Sequence, residues 1–325
     1  MREHWLVQPE WSWNQPNKHN PTYVHEWVQS IHTMNTPPEL LIYGAPLSRS
    51  SISVSGASLY PMEFRRIWKG FATYNIEKNI DLSSFLVGDA GDISMHTTDI
   101  SMSHDRIKQS TAYLCSKYPY SRTCMIGGDH STTACAVKGI QQAFPNETIG
   151  ILQFDTHLDV RDPKIMGPSN GTPIRQLIEE NIVKGENIVN IGPHGYYNAK
   201  PLVDFANKHH IKIITLKTAR KAGVIQTVLH ALKTLSEKVD RIYVTVDLDV
   251  LDISFAPGVP ASTPGGMTTE ELFDSLLEIG SHVAVQHIDF VCLDPSKDTP
   301  VNETVKIGGY AWMQFVTGCV LRKIP

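Results

Sequence analysis

The chain has 325 residues, of which 41% are hydrophobic, and a formal net charge of −4. Its scattered lysines and arginines form no basic stripe, which argues against nucleic-acid binding. No apolar run approaches the roughly 18 residues of a membrane span, and the first residues lack the apolar core of a signal peptide, so we expect a cytoplasmic protein acting on a small molecule. Five cysteines without a CxxC pair predict neither a disulfide framework nor a zinc knuckle.

Residues 1–36 hold four of the six tryptophans among Asn, His and Pro. Such aromatic content argues against a disordered tail, so we expect an arm that packs on the body or on a neighbouring subunit. Residues 37–325 are predicted to form a single α/β domain.

The first regular segment, ELLIYGAP, predicts a strand, and a Ser/Gly loop containing Arg49 follows it. A helix is predicted after Pro61, a strand over LSSFLVGDAGDI and a helix over 104–117. Asp89 and Asp92 at the end of that strand could be ligands, but turn or capping roles are more usual for aspartate there.

The segment RTCMIGGDHSTTACAVKGIQQAF predicts a strand, a glycine turn and a helix. His130 lies at this junction, and ligands bind α/β sheets at the carboxyl ends of the strands. A lone histidine there is more often structural, so its interpretation depends on the strands that follow.

The next strand, TIGILQFD, ends in the metal-competent side chains of Asp155, His157 and Asp159. Residues at i, i+2 and i+4 of an extended segment point to one face, so the spacing predicts that these three groups converge. Buried charges of this kind are tolerated when they coordinate a metal.

A polar loop, VRDPKIMGPSNGTP, follows these residues and leads into the helix IRQLIEEN. Its position favours substrate recognition, although a solvated loop is the usual alternative. The candidate substrate-binding residues are Arg161, Asn170, Thr172 and Arg175; arginines match carboxylates in a bidentate manner.

Further strands and helices alternate through the chain, including a helix from about 219 to 236, as in parallel βαβ construction. The strand RIYVTVDLDVLD supplies a second pair of acids, Asp247 and Asp249, whereas Asp252 is predicted to be a turn residue. The strand VAVQHIDFVCLDP and a C-terminal helix complete the pattern. No nucleotide-binding glycine motif occurs.

Together the strand ends offer two histidines and four aspartates, which are too many donors for one ion. Nitrogen and oxygen donors without thiolates suit two divalent cations with bridging carboxylates, and manganese fits this set better than structural zinc. A bridged pair makes hydroxide available near neutral pH, so hydrolysis is the expected reaction.

These residues resemble the metal signatures of the ureohydrolase family, which includes arginases, agmatinases and formimidoylglutamases. The resemblance rests on GGDHS at 127–131, DTHLD at 155–159 and VDLDVLDISFAPGVPASTPGG at 246–266. It implies a three-layer α/β/α sandwich with a mostly parallel central sheet, and two Mn²⁺ ions. One ion would be bound by His130, Asp155, Asp159 and Asp247, and the other by Asp155, His157, Asp247 and Asp249. Asp155 and Asp247 would bridge them and hold the reacting hydroxide.

Within this family the chain is most similar to bacterial formimidoylglutamases. The shared stretches are GAPLSRSSISVSGAS, GDAGDISMHTTDI, GPSNGTPIRQLI and DVLDISFAPGVPA. The resemblance implies hydrolysis of N-formimidoyl-L-glutamate to glutamate and formamide in histidine degradation, by a homo-oligomer, trimeric or hexameric.

Two positions depart from the family pattern. Asn170 stands where arginases have a proton-transferring histidine, although formimidoylglutamases can also have asparagine there. Cys292 stands where a glutamate normally holds the cationic substrate. Three hypotheses follow: a weak or re-tuned formimidoylglutamase; a ureohydrolase with another amidine or guanidine substrate; or a metal-binding member without the usual activity.

Overall fold

The computed structural model of the chain describes residues 4–13 and 21–322. The strands in these ranges are β1 (Leu6–Val7), β2 (Gln29–Ser30), β3 (Leu40–Gly44), β4 (Tyr74–Asn75), β5 (Ile80–Asp81), β6 (Val87–Ile93), β7 (Arg122–Ile126), β8 (Ile149–Phe154), β9 (Ile188–Ile191), β10 (Lys212–Ile214), β11 (Arg241–Asp247) and β12 (Val285–Val291).

The α-helices in the same ranges are α1 (Val24–Trp27), α2 (Tyr60–Arg66), α3 (Ile100–Lys117), α4 (Ser131–Ala143), α5 (Pro163–Met166), α6 (Pro173–Glu179), α7 (Lys200–Lys208), α8 (Leu216–Ala222), α9 (Val224–Ser236), α10 (Thr269–Ser281) and α11 (Glu303–Leu321). Short 3-10 helices cover Ala57–Leu59, Ile67–Gly70, Gly185–Asn187, Leu248–Val250 and Pro295–Lys297. None of the helices in the described part of the chain is both long and apolar enough to cross a bilayer.

Ten strands form one sheet, in the order β1-β6-β3-β7-β12-β11-β8-β9-β10, with β2 also paired with β6. Strand β1 runs antiparallel to β6, and the other pairs in this sheet are parallel. Parallel neighbours need crossover connections, which the helices between them provide.

The sheet is covered on both faces. On β8, Leu152 and Phe154 belong to one buried cluster, whereas Ile149 and Ile151 belong to the other. Side chains alternate between the two faces of a strand, so the clusters lie on opposite sides of the sheet. Helices α9, α10 and α11 contribute to the first cluster, and α3, α4 and α6 to the second. The predicted three-layer α/β/α sandwich is confirmed.

The described part of the N-terminal arm packs on the body. Strand β1 pairs with the edge of β6. The Arg106 guanidinium lies 4.0 Å from the centre of the Trp5 ring, and Trp13 Nε1 donates to the Arg65 carbonyl at 2.7 Å. Trp27 belongs to the first core cluster and is 3% exposed. The predicted division of the chain at residue 36 stays a prediction.

Two local expectations differ from the structure. The helix predicted over about 219–236 is two helices, α8 and α9, separated at Gly223, where a φ of +87° is incompatible with a continuous right-handed helix. Asp89 and Asp92 both form ion pairs with the buried guanidinium of Arg65 at 2.7 Å, which the sequence did not predict, although Asp89 Oδ1 also accepts the Gly91 N–H at 2.9 Å, as a turn residue would.

Candidate metal centre

The candidate ligands lie at the carboxyl ends of neighbouring strands. Strands β7, β12, β11 and β8 are consecutive in the sheet. His130 follows β7 as the N-cap of α4, Asp155 follows β8 directly, and Asp247 is the last residue of β11. Sheet order therefore gathers residues that are up to 117 positions apart in sequence, between His130 and Asp247.

The predicted mechanism of convergence on β8 is wrong in detail. The strand ends at Phe154, so Asp155, His157 and Asp159 lie in the following loop and not on one face of an extended segment. Asp159 has a φ of +51°, in the left-handed region that aspartate tolerates better than most residues. The loop conformation, and not strand alternation, brings these side chains together.

The first group of donors surrounds one nitrogen of His130. Its Nδ1 lies 2.7 Å from Asp159 Oδ2, 3.1 Å from Asp247 Oδ2 and 3.3 Å from Asp155 Oδ2. All four residues are buried. Three carboxylates thus converge on one imidazole nitrogen inside the protein.

The second group adjoins the first. His157 Nδ1 lies 2.8 Å from Asp249 Oδ2 and 3.5 Å from Asp155 Oδ1. Asp155 contributes one oxygen to each group, as a bridging ligand would. Asp247 is close enough to the donors of the first group but does not join the second, and its Oδ1 accepts the Asp249 N–H at 2.9 Å. The bridging role expected for Asp247 stays a prediction.

Hydrogen bonds from neighbouring residues hold Asp155 and Asp249 in position. Gln153 Nε2 donates to Asp155 Oδ2 at 2.7 Å. The backbone N–H of Thr156 donates to Asp249 Oδ1 at 3.1 Å, and its hydroxyl donates to the Asp249 carbonyl at 2.7 Å. Such contacts orient ligating groups and are part of a metal site's design.

The electrostatics of the cluster reflect crowded, buried like charges. Burial and the Asp155 carboxylate raise the pKa of Asp159 to about 7. Burial, with the carboxylates of Asp249 and Asp155, raises the pKa of Asp247 to about 7. Burial and Asp155 raise the pKa of Asp249 to about 6. The carboxylates of this cluster therefore resist becoming fully ionised together near neutral pH.

The pKa shifts of the two imidazoles and of Asp155 favour their charged forms. Burial opposes the charge on His157, but the Asp249 and Asp155 carboxylates outweigh it and raise its pKa to about 12. The pKa of His130 is likewise raised well above its ordinary value, since Asp159, Asp155 and Asp247 outweigh burial. Burial is also outweighed at Asp155, whose pKa is lowered by its contacts with both histidines. Protons thus hold together a cluster that a divalent cation could hold instead.

The donor set fits metal binding. His130 Nδ1 is a buried polar atom for which no described residue offers a hydrogen bond of acceptable geometry, although three carboxylate oxygens surround it. A cation among these atoms would satisfy the nitrogen and neutralise the carboxylates. Imidazole and carboxylate donors without a thiolate suit manganese.

Asn170 links two loops near the centre. Its Oδ1 accepts the Ile52 N–H at 2.8 Å, and its own N–H donates to the Ser50 carbonyl at 3.1 Å. Thr172 is buried, and its hydroxyl donates to the Ser169 carbonyl at 2.8 Å, which gives it a structural role in the same loop.

The candidate arginines differ in their partners. Arg175 bonds Asp162 and Glu179, each at 2.8 Å, and its guanidinium lies 4.6 Å from the centre of the Phe205 ring. Arg49 donates to the carbonyls of His96 and Thr97. The guanidinium of Arg161, by contrast, is exposed and has no hydrogen bond or ion pair with the described residues. Arg161 is therefore the candidate with a guanidinium available for a ligand.

Cys292 lies beside the carboxylates. It is 7% exposed, has a φ of +62°, and donates its N–H to the Gly128 carbonyl at 2.8 Å. Burial, together with the charges of Asp247 and Asp249, holds the pKa of its thiol well above the ordinary value. The side chain at this position is therefore neutral near pH 7. Asp294, two residues further along, is buried and accepts hydrogen bonds from the backbone N–H groups of Gly56 and Ser296.

Sequence reasoning missed the residues that support the ligands. Gln153 and Thr245 are buried polar residues inside otherwise apolar strands, and Thr245 Oγ1 lies 2.9 Å from His130 Nε2. Their only sequence signal is a polar side chain that interrupts an apolar run. Asn198 was missed as well, and it accepts from the Leu158 N–H and donates to the Thr156 carbonyl.

Comparisons with known proteins agree with this fold. The sequence profile of the arginase family matches residues 38–317. The formimidoylglutamase of Halalkalibacterium halodurans is 40% identical over 283 residues, covering 87% of this chain and 88% of that protein.

Solved structures give the same result. The crystal structure of formimidoylglutamase from Bacillus subtilis superposes with a TM-score of 0.87 at 35% identity and covers 92% of each chain. Trypanosoma cruzi formiminoglutamase, solved with a pair of Mn²⁺ ions, superposes with a TM-score of 0.81 at 24% identity, over 89% of this chain and 97% of that one, and supports the fold. The matched profile, the curated relative and the shared architecture together establish that this chain belongs to the arginase family.

Proposed function

We propose that this chain hydrolyses N-formimidoyl-L-glutamate to L-glutamate and formamide with two Mn²⁺ ions. The observation that carries the proposal is the convergence of Asp155, Asp159 and Asp247 on His130 Nδ1, with Asp155 shared by a second group of donors. The similarity to formimidoylglutamases of Halalkalibacterium halodurans and Bacillus subtilis supports the substrate.

The metal would be held by the residues at the strand ends. His130, Asp155, Asp159 and Asp247 would bind one ion, and Asp155, His157, Asp247 and Asp249 the other, with Asp155 and Asp247 as the bridging ligands. When bound, such a pair supplies hydroxide near neutral pH and stabilises negative charge on the reacting centre.

The chain's own side chains would select and hold the substrate. The guanidinium of Arg161 is free to bind a substrate carboxylate in the bidentate manner that arginine favours. The neutral thiol of Cys292 would face the amidine end, and Asn170 would position the loop that carries Arg161. Arg175 was a second candidate for the carboxylate, but its ion pairs with Asp162 and Glu179 favour a structural role.

The test is the release of formamide and glutamate by Mn²⁺-reconstituted protein from N-formimidoyl-L-glutamate, measured beside agmatine and L-arginine. We expect release of both products and its loss in Asp247→Asn. Asp274→Asn is the matched control, because Asp274 is an exposed aspartate on α10 outside the donor groups. Release of urea from a guanidine substrate, with N-formimidoyl-L-glutamate left intact, would overturn the proposed substrate.

We also infer a cytoplasmic enzyme that assembles as a homo-oligomer. All five cysteines are free and buried, which suits a reducing compartment, and the assembly is implied by the family resemblance. Light scattering of the purified protein measures its mass, and a monomer would contradict the second inference.

A further inference from the structure

A chain of buried hydroxyl groups leads away from the metal centre behind His130. His130 Nε2 lies 2.9 Å from Thr245 Oγ1, and Thr245 Oγ1 lies 3.4 Å from Thr133 Oγ1. Thr133 Oγ1 donates to Asp289 Oδ2 at 2.6 Å, and the Tyr243 hydroxyl donates to the same oxygen at 2.6 Å. All five residues are buried.

The sheet register places these groups together. Thr245 on β11 pairs directly with Asp289 on β12, and Tyr243 precedes Thr245 by two residues, so it lies on the same face. Thr133 projects from the first turn of α4, the helix that His130 caps. Two strands and one helix thus build a path from the imidazole to a carboxylate outside the donor groups.

The proton count gives this path a direction. An ionised carboxylate only accepts hydrogen bonds, and each hydroxyl has one proton to donate. Thr133 donates its proton to Asp289, so its oxygen is left to accept from Thr245. Thr245 then has no proton for the imidazole and accepts one from it. The Asp289 carboxylate, which only accepts, therefore sets the direction of each hydrogen bond between it and His130.

The direction of these hydrogen bonds determines the tautomer of His130. If Nε2 donates to Thr245, a neutral ring carries its proton on Nε2 and its lone pair on Nδ1. Nδ1 is the nitrogen that the carboxylates of Asp155, Asp159 and Asp247 surround. The hydrogen bond made by one ring nitrogen in this way decides which nitrogen binds a metal.

We propose that Asp289 is a positioning residue, which acts through Thr133 and Thr245 to hold His130 with its Nδ1 lone pair directed at the metal. This inference rests on the metal centre of the proposed function. It accounts for a carboxylate buried outside the donor groups, whose Oδ1 has no hydrogen-bond partner in the described part of the chain.

The decisive variant is Thr133→Val, which interrupts the path and leaves the contact between His130 and Thr245 in place. We expect Mn²⁺ affinity, measured by competition with a chelator, to fall about 10- to 100-fold, the range for lost supporting contacts. Thr133→Ser keeps the hydroxyl and should bind Mn²⁺ as the unchanged protein does. Thr111→Val is the matched control, because Thr111 is a buried threonine whose hydroxyl contacts Tyr43 at 3.1 Å, away from the donors.

Equal Mn²⁺ affinity in Thr133→Val and the unchanged protein would overturn the inference, as would an equal loss in Thr111→Val. A second measurement needs no variant: nitrogen-15 NMR of histidine-labelled protein loaded with diamagnetic Zn²⁺ reports the His130 tautomer. A proton on Nε2 is expected, and a proton on Nδ1 would refute the role. Failure of the unchanged protein to bind Mn²⁺ would instead refute the metal centre of the proposed function.

Discussion

The side-chain oxygen of Asn170 accepts a hydrogen bond from the backbone N–H of Ile52 at 2.8 Å. With the bond between the Asn170 backbone N–H and the Ser50 carbonyl, it joins the loop after β3 to the segment between α5 and α6. Arg161 lies just before α5, and its backbone N–H donates to the Gly171 carbonyl in that segment at 2.9 Å. Asn170 therefore connects these two segments, and its side-chain amide cannot transfer a proton.

Asn170→Ala should raise KM for N-formimidoyl-L-glutamate about fivefold. The variant loses the hydrogen bond to the Ile52 N–H, which contributes roughly 1 kcal/mol to the ordering of the two connected segments. Mn²⁺ affinity should not change, since Asn170 is not among the donors. Steady-state kinetics measure the first effect and chelator competition the second. Asn146→Ala, a change at an exposed asparagine after α4, is the control. A lower Mn²⁺ affinity in Asn170→Ala would contradict the assigned role.

The sequence predicts where the metal centre lies better than it predicts the backbone conformations and supporting contacts that form it. The apolar runs before Asp155 and Asp247 identify the strands, and parallel topology then places both acids at one edge of the sheet. The left-handed conformation of Asp159 and the support of His130 by Thr245 depend on contacts distant in sequence. Local patterns do not contain that information.

The lack of information on distant contacts also explains the errors in the predicted fold. Asp89 and Asp92 resemble turn residues because their partner, Arg65, lies more than 20 positions earlier in the chain. The break between α8 and α9 depends on the φ of Gly223, and an isolated glycine within a helical pattern does not reveal its φ.

Mn²⁺ should stabilise the protein against heat, and more strongly at pH 7.5 than at pH 5.5. The raised pKa values of Asp159 and Asp247, both about 7, and of Asp249, about 6, mean that these groups hold protons in the metal-free fold. A carboxyl with a raised pKa stabilises the metal-free fold at low pH and loses that contribution as pH rises through its folded pKa. Mn²⁺ must displace these protons, so its affinity rises over the same interval.

Thermal unfolding with and without Mn²⁺ at the two pH values measures this effect. At a free Mn²⁺ concentration of 100 times the Kd at pH 7.5, the added free energy of unfolding is about 2.7 kcal/mol at that pH, and the same concentration adds less at pH 5.5, where the affinity is lower. Taking the difference at each pH removes titrations elsewhere, such as that of buried His287, whose pKa is lowered to about 3 by burial. Asp247→Asn should lose most of the Mn²⁺ effect, and Asp274→Asn should keep it. A shift independent of pH would contradict displacement of protons from the carboxyls.

Arg161→Ala and Arg175→Ala should differ in their kinetics. A charge-assisted hydrogen bond contributes roughly 1.5 to 3 kcal/mol, so loss of the free Arg161 guanidinium should raise KM about 10- to 100-fold. Arg175 is already paired with Asp162 and Glu179, so its loss should leave KM unchanged and lower the free energy of unfolding by about 1 kcal/mol or less. Kinetics and urea unfolding of both variants measure these effects, and the reverse order in KM would assign the substrate carboxylate to Arg175.

Cys292→Glu should lower KM for N-formimidoyl-L-glutamate about tenfold or more, relative to Cys292→Gln. The amidine end of the substrate is cationic, and a carboxylate beside it would form a charge-assisted hydrogen bond that the neutral thiol does not form. Glu and Gln have similar size, and both would adopt the φ of +62° at this position, so strain from the backbone affects both variants alike. The ratio of their KM values therefore isolates the effect of charge.

The carboxylate would also lie close to Asp247 and Asp249, whose charges already raise the pKa of the thiol. Mn²⁺ affinity must accordingly be measured for both variants, and the ratio of KM values taken with the metal centre fully occupied. Equal KM values under that condition would mean that position 292 does not face the cationic end of the substrate. A lower KM in Cys292→Glu would mean that the unchanged chain holds its substrate mainly through the carboxylate end, where Arg161 is the available cation.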